Sequence, residues 1–261
     1  MKNLLVLIIG FTLLISCGML KKFTSTGEKE KKVETTESPK KETPPVKEKP
    51  PVKEELSQDE ISQGTTQTSQ EIGMLSFDKS NLPSDVKYQG KVVTGKRWTD
   101  KNGENYLVLT RTDVKKVKSK QPDFEEYDLQ AELYGYHYIK SGDSYRLLWK
   151  INDFIKDCPF DLTLDFIPGS LSITDINNNG IAESTFLYKM CCRSDVSPSE
   201  LKLMMHENED KYALRGNMHI KMQGINEGGS YKIDKAFDLA PNGFLDYAKE
   251  QWKEFKMEKL N

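Results

Sequence analysis

The segment T-D-I-N-N-N-G-I-A-E, residues 174–183, has the spacing of a loop that could bind a cation. Counted from its aspartate, oxygen-bearing side chains occupy positions 1, 3 and 5, a glycine position 6, a main-chain carbonyl position 7 and a carboxylate position 9. This spacing allows a tight loop to surround a hard cation such as calcium with oxygen ligands. The predicted ligands are Asp175, Asn177, Asn179, Ile181 through its carbonyl, and Glu183.

This loop differs from an EF-hand in two respects. Phe186 occupies the place of the bidentate glutamate, and the flanks 170–174 and 184–188 have the composition of strands. The loop resembles the single-loop calcium hairpin of FG-GAP and related β repeats, with neutral Asn177 and Asn179 in place of acids. Because affinity depends on ligand charge, we expect weak calcium binding. The alternative is an Asn/Gly hairpin turn without metal.

Aromatic and acidic side chains suggest two further kinds of chemistry. The row Tyr134, Tyr136 and Tyr138, with Trp149, could form a platform on which sugar rings stack. The alternative is structural: the same aromatic residues would lie on a sheet face that the C-terminal helix covers. The acids that could supply a carboxylate pair for glycoside hydrolysis are Glu132, Asp157, Asp161 and Asp165. Such pairs arise by chance in an acid-rich domain, so the sequence favours solvated surface and a non-catalytic protein.

The N-terminus has the pattern of a lipoprotein export signal. A lysine at position 2 precedes the apolar stretch 4–15, which is too short to span a bilayer comfortably. The sequence Leu-Ile-Ser-Cys that ends at Cys17 resembles the lipobox of bacterial lipoproteins, which implies a signal peptide over residues 1–16 and acylation of Cys17. Gly18 in place of aspartate implies the outer membrane rather than the inner one. The alternative is a cleaved secretory signal with an incidental cysteine.

The other three cysteines are Cys158, Cys191 and Cys192. An exported domain lies in an oxidising compartment, so we expect one disulfide. Adjacent cysteines rarely bond each other because the small ring strains the peptide, so Cys158 should pair with Cys192 or Cys191, the former preferred. His206 and His219 lie on strand-like segments and provide no evident partner for a catalytic thiol. The cysteines also lack the spacing of a structural zinc site.

The elements that would position these residues are predominantly strands. Residues 129–139 alternate apolar with polar or aromatic side chains, and Asn102-Gly103 is a strong hairpin signal. From Phe244 onward, apolar residues recur at helical spacing. The sequence predicts a mainly β fold of antiparallel sheets, meander-like or sandwich-like, with one C-terminal amphipathic helix. Strands are predicted at 91–98, 106–112, 129–139, 145–151, 162–167, 170–174, 184–190, 201–206, 211–215 and 219–222.

A tether separates the leader from the globular domain. Residues 17–73 consist mainly of Lys, Glu, Thr, Ser and Pro, which cannot bury enough apolar area to order the chain, so disorder is predicted. The globular domain is predicted at 74–261. The chain carries 38 basic and 40 acidic residues, which excludes a dedicated nucleic-acid binder. Beyond the leader no apolar run is long enough for a transmembrane helix.

Four stretches, at residues 149–159, 174–183, 195–198 and 211–216, together resemble a family of exported lipoproteins typical of Bacteroidetes. Some members carry the label "surface polysaccharide biosynthesis protein". The resemblance implies an accessory or binding role at the cell envelope, with surface glycan or an envelope protein as partner. It implies no established reaction, and the chain lacks a glycine-rich phosphate loop after a strand, which disfavours direct glycosyl transfer. An envelope polysaccharide hydrolase using a carboxylate pair is the alternative function.

Overall fold

A computed structural model describes residues 72–121 and 125–259. The predicted signal peptide 1–16, the lipidation site Cys17 and almost all of the tether 17–73 lie outside the described residues. Within the described part of the chain, no helix has the length and apolar content needed to cross a membrane.

The described residues form a mainly β structure in which every strand pair is antiparallel, as the sequence predicts. The strands are β1 (Gly73–Leu75), β2 (Lys91–Asp100), β3 (Gly103–Arg111), β4 (Lys115–Lys118), β5 (Tyr127–Ser141), β6 (Ser144–Cys158), β7 (Asp161–Phe166), β8 (Ser172–Thr174), β9 (Glu183–Arg193), β10 (Glu200–Glu207), β11 (Asp210–Asn217), β12 (His219–Met222), β13 (Ile225–Gly228) and β14 (Tyr231–Ile233).

The first sheet is built around β5. Strands β3 and β4 pair with successive parts of one edge of β5, and β6 pairs with its other edge. Strands β2 and β1 extend the sheet beyond β3. The β2–β3 hairpin turns at Lys101-Asn102, where Asp100 pairs with Gly103. Gly103 has a φ of 109°, which a side chain would disfavour, so the Asn-Gly signal marks the turn for a physical reason.

The second sheet has the order β14-β11-β10-β9-β7, with β8 pairing beside β7 along β9. Strands β12 and β13 form a separate two-stranded sheet. Buried side chains of the two large sheets, among them Trp98, Leu133, Phe186 and Met204, meet in one hydrophobic cluster. Because side chains alternate along a strand, one face of each sheet supplies this inner core.

The outer faces of the two large sheets are covered by different parts of the chain. The helix α1 (Phe244–Phe255) and a 3₁₀ helix (Lys235–Leu239) pack on the second sheet, with Trp252 and Phe237 buried there. Residues 76–90 cross the outside of the first sheet, where Phe77, Leu82 and Val86 pack against its buried tyrosines. The helix is therefore not the element that covers the tyrosine face.

A disulfide joins the end of β6 to β9 through Cys158 and Cys192, which confirms the preferred pairing. Their Cα atoms are 5.7 Å apart, and Cys191 is a free, half-buried thiol. The bridge spans a sequence separation of 34 residues. In the chain-entropy model such a bridge stabilises the fold by about 3–4 kcal/mol.

Candidate cation loop and polar cleft

One end of the sandwich, here called the loop end, contains the predicted cation loop and the turns beside it. The main-chain amide of Lys101 donates to the carbonyl of Gly180 at 2.8 Å, and the side-chain amide of Asn102 donates to Oδ1 of Asn208 at 2.7 Å. These contacts join turns that are distant in sequence. The loop end comprises the β2–β3 turn 101–102, the β5–β6 turn 142–143, the β8–β9 loop 175–182 and the β10–β11 turn 208–209.

Side-chain oxygens of the β8–β9 loop hold its backbone in a tight turn. The Asp175 carboxylate accepts hydrogen bonds from the main-chain amides of Asn179 and Gly180, both at 3.0 Å. Oδ1 of Asn177 accepts from the amide of Asn179 at 3.1 Å, and Oδ1 of Asn179 accepts from the amide of Ile181 at 2.7 Å. The motif thus builds the local turn that Asn and Asp favour.

The side-chain amides of the same two asparagines converge on a residue of another strand. Asn177 and Asn179 both donate from Nδ2 to Oε1 of Glu207, each at 2.7 Å. Glu207 is the last residue of β10 and lies directly opposite Glu183 of β9. Sequence reasoning missed Glu207 because its relation to the loop depends on the register between β9 and β10, which is not a local signal.

Glu183 is the most deeply buried acid of the loop. Its side chain is inaccessible to solvent, and its Oε2 accepts hydrogen bonds from the Thr174 hydroxyl and the Ile176 amide, both at 3.0 Å. Its Oε1 has no hydrogen-bond partner among the described residues. Burial, reinforced by the nearby charge of Glu207 and only partly offset by these hydrogen bonds, raises the pKa of Glu183 to about 7.

Asp100 ties this loop to the neighbouring hairpin. Its carboxylate accepts from the indole Nε1 of Trp98 at 3.0 Å, the amide of Asn102 at 2.9 Å and the amide of Ala182 at 3.2 Å. The side chain of Asp100 is nearly fully buried. Sequence reasoning did not single it out.

The structure places the predicted metal ligands on one loop without gathering their carboxylates. Asp175 faces the amides within the loop, whereas Glu183 faces the start of the loop and the end of β8. Across residues 72–121 and 125–259, no three His, Cys, Asp or Glu side chains are arranged to hold a metal ion. Calcium binding by Asp175, Asn177, Asn179, Ile181 and Glu183 therefore stays a prediction.

A polar cleft of about 490 Å³ opens beside the loop. Its apolar lining comes from Ile139 and Leu148, at the ends of β5 and β6 that meet the loop end. Arg146, Glu209 and Asp210 are exposed, and their side chains have no hydrogen bond or ion pair with another part of the described chain. The remaining lining residues are the hydrogen-bonded Asn102 and Asn208.

The predicted aromatic platform is divided between two faces of the first sheet. Tyr134, Tyr136 and Tyr138 face outward but are only 4–5% exposed, because residues 76–90 cover them. The amide of Gln89 donates to the Tyr136 hydroxyl at 3.1 Å. Trp149 packs instead in the inner core, where its ring lies 4.0 Å from that of His206.

The acids considered for hydrolysis are bound to separate partners. Asp157 forms an ion pair with Lys120 at 2.6 Å, and Asp165 forms one with Arg111. Glu132 accepts a hydrogen bond from the hydroxyl of Tyr134, and Asp161 is exposed at the start of β7. Ion pairs therefore neutralise the charges of Asp157 and Asp165, and a hydrogen bond is made to Glu132.

No model of a known protein family matches the chain. Comparison with curated proteins and with solved structures likewise gives no significant match.

Proposed function

We propose that this protein is a non-catalytic, lipid-anchored component of the cell envelope, held at the outer membrane by acylated Cys17. Its β domain binds surface polysaccharide, while the tether of residues 17–73 lets the domain work away from its lipid. The lipobox-like sequence, the composition of the tether and the resemblance to exported lipoproteins support this proposal. An envelope protein is the alternative partner.

The observation that carries the binding role is the polar cleft at the loop end. Saccharides present hydroxyl groups that both donate and accept hydrogen bonds, together with apolar C–H faces. Arg146, Glu209 and Asp210 supply uncommitted donors and acceptors, and Ile139 and Leu148 supply apolar surface. The two acidic residues against one basic residue disfavour a strongly anionic glycan, so a neutral segment of polysaccharide is the ligand that fits.

The geometry supports binding over hydrolysis for a separate reason. Glycoside hydrolases place two carboxyl groups on opposite sides of the scissile bond, about 5–10 Å apart. Asp157 and Asp165 are instead paired with Lys120 and Arg111. We therefore retain the hydrolase only as an outcome that the binding experiment detects.

The test is binding of the full-length protein to an array of neutral and acidic envelope glycans, followed by analysis of each bound glycan for cleavage products. Arg146→Ala should weaken binding of a neutral glycan about tenfold, since it removes a charged hydrogen-bond donor from the cleft. Lys156→Ala is the matched control, because Lys156 is an exposed cation of the same strand outside the cleft. Binding that Arg146→Ala leaves unchanged would contradict the assigned site. Released products would contradict a non-catalytic role.

A further inference from the structure

Two buried glutamates occupy directly opposite positions on neighbouring strands at the loop end. Glu183 of β9 and Glu207 of β10 are direct partners in the strand register, with side chains 0% and 9% exposed. Side chains directly opposite on antiparallel strands lie close together, and like charges there are destabilising. Burial adds to this cost, because it removes the water that would otherwise stabilise both charges.

No basic side chain of the described chain compensates these charges. Neither glutamate forms an ion pair with a lysine, arginine or histidine among residues 72–121 and 125–259. The neighbouring Asp175 forms none within the same residues either. The groups that donate to Glu183 and Glu207 are neutral: one hydroxyl, one main-chain amide and two asparagine amides.

A second observation, an unpartnered oxygen of Glu183, favours a ligand at this position. Oε1 of Glu183 is buried and accepts no hydrogen bond from residues 72–121 or 125–259, although Oε2 of the same carboxylate accepts two. Buried carboxylate oxygens in native proteins are almost always hydrogen-bonded or bound to a metal ion. The side chain of Glu183 lies on the same face of the sheet as that of Glu207, because the two residues are direct register partners.

We propose that Glu183 and Glu207 bind one calcium ion between β9 and β10, with Oε1 of Glu183 and the free carboxylate oxygen of Glu207 as its charged ligands. The β8–β9 loop completes the coordination with neutral oxygens. An all-oxygen donor set selects a hard cation, and irregular loop ligands suit calcium better than magnesium, which demands near-ideal octahedral geometry. The site differs from the loop-only ligand set because it requires Glu207 from a distant strand.

Such an ion would also fix the turn beside the cleft. Glu207 holds the amides of Asn177 and Asn179 and is followed directly by Asn208, which accepts the amide of Asn102. Neutralising the charge of Glu207 favours the folded state in which the hydrogen bonds of Asn177, Asn179 and Asn208 form. Calcium binding does not depend on the proposed glycan role, and either one can fail without the other.

The experiment is thermal unfolding and calorimetric titration of the full-length protein after removal of metal with a chelator. Calcium should bind with a stoichiometry of one and raise the melting temperature saturably at concentrations of about 0.1–1 mM, since a ligand that binds only the folded state stabilises it. Magnesium should raise it less. No response to calcium at about ten times these concentrations would overturn the proposal.

Two variants and one control locate the ion. Glu183→Gln and Glu207→Gln should each weaken calcium binding about tenfold or more, because each removes one of few ligand charges. Without calcium, Glu183→Gln should melt higher than the wild type, because it removes an uncompensated buried charge, and this readout confirms that the variant folds. Glu227→Gln is the matched control and should respond as the wild type does, because Glu227 is exposed on β13 and belongs to neither site. A calcium response that survives Glu207→Gln but is lost in Asp175→Ala would overturn the two-strand site in favour of a loop-only site.

Discussion

The inner core of the sandwich contains the imidazole of His137, and burial there disfavours its charged form. The ring of His137 lies 5.0 Å from that of Trp98 and 5.4 Å from that of Trp149. Its Nε2 contacts Oδ1 of Asn105 at 2.9 Å, whereas its Nδ1 is buried without a partner among the described residues. Burial lowers the pKa of His137 to about 3, so the folded protein holds this side chain neutral.

This depressed pKa predicts a loss of stability in acid. An unfolded histidine has a pKa of about 6.5, so the contribution of His137 is complete above that pH and declines as the pH falls toward 3. Between pH 7 and pH 4.5, protonation of His137 in the unfolded state should lower the free energy of unfolding by about 2–3 kcal/mol. His137→Gln cannot take up this proton. The variant should be less stable at pH 7 but lose about 2–3 kcal/mol less between the two pH values.

Urea denaturation at both pH values measures this difference. Each protein serves as its own reference at pH 7, so the packing cost of the substitution cancels when the two losses are compared. Equal losses in the wild type and His137→Gln would show that His137 does not couple protonation to unfolding.

At the level of elements, the sequence predicts the strands and the helix that have a long periodic pattern of apolar residues. It also predicts strands that are joined by a turn with a characteristic residue. Strands β2, β3, β5 and β9 and helix α1 belong to this group. The sequence does not predict the short strands β1, β4, β13 and β14, because three or four residues give only a weak periodic pattern; β8 and β12 are as short and are predicted.

The placement of elements against one another was less predictable. The tyrosines of β5 alternate as expected, but no local signal shows that residues 76–90 cover them while α1 packs on the other sheet. The same limit applies to the candidate site. The loop from Asp175 to Glu183 is a contiguous motif, whereas Glu207 joins it only through the pairing of β9 with β10. Tertiary packing decides which segment covers the tyrosines and which residue lies beside the loop. No local pattern in the sequence shows this packing.

The attachment of α1 to the second sheet predicts a large effect at Trp252. Its side chain is 1% exposed, packs 5.2 Å from the ring of Tyr231 and donates from Nε1 to the carbonyl of Gly229 at 3.2 Å. Trp252→Ala should lower the free energy of unfolding by about 3–5 kcal/mol, because it leaves a cavity and an unpaired carbonyl.

Chemical denaturation of Trp252→Ala beside Lys253→Ala tests this attachment. Lys253 is exposed on the same helix, so its substitution should change stability by no more than about 0.5 kcal/mol. A comparable small change in both variants would mean that α1 contributes little to holding the second sheet.

For the whole molecule, the proposed attachment to the membrane rests on lipid rather than on charge. The net charge of −2 provides no general attraction to an anionic lipid surface, and attraction of that kind needs clustered basic residues. Each buried methylene of an acyl chain contributes about 0.8 kcal/mol, so two or three chains on one cysteine give an anchor that a single chain does not. At about 3.3 Å per residue, a fully extended tether of residues 17–73 would reach roughly 190 Å.

The proposed anchor predicts which cysteine carries fatty acid. Cells that express the full-length protein and grow with labelled palmitate should yield a labelled protein, because the sequence before Cys17 resembles a lipobox. Cys17→Ala should abolish the label. Cys191→Ala should retain it, since Cys191 is the free thiol of the β domain and tests labelling of an unpaired cysteine. Label that persists in Cys17→Ala, or that disappears only in Cys191→Ala, would place the lipid elsewhere and remove the basis for an envelope anchor at the N-terminus.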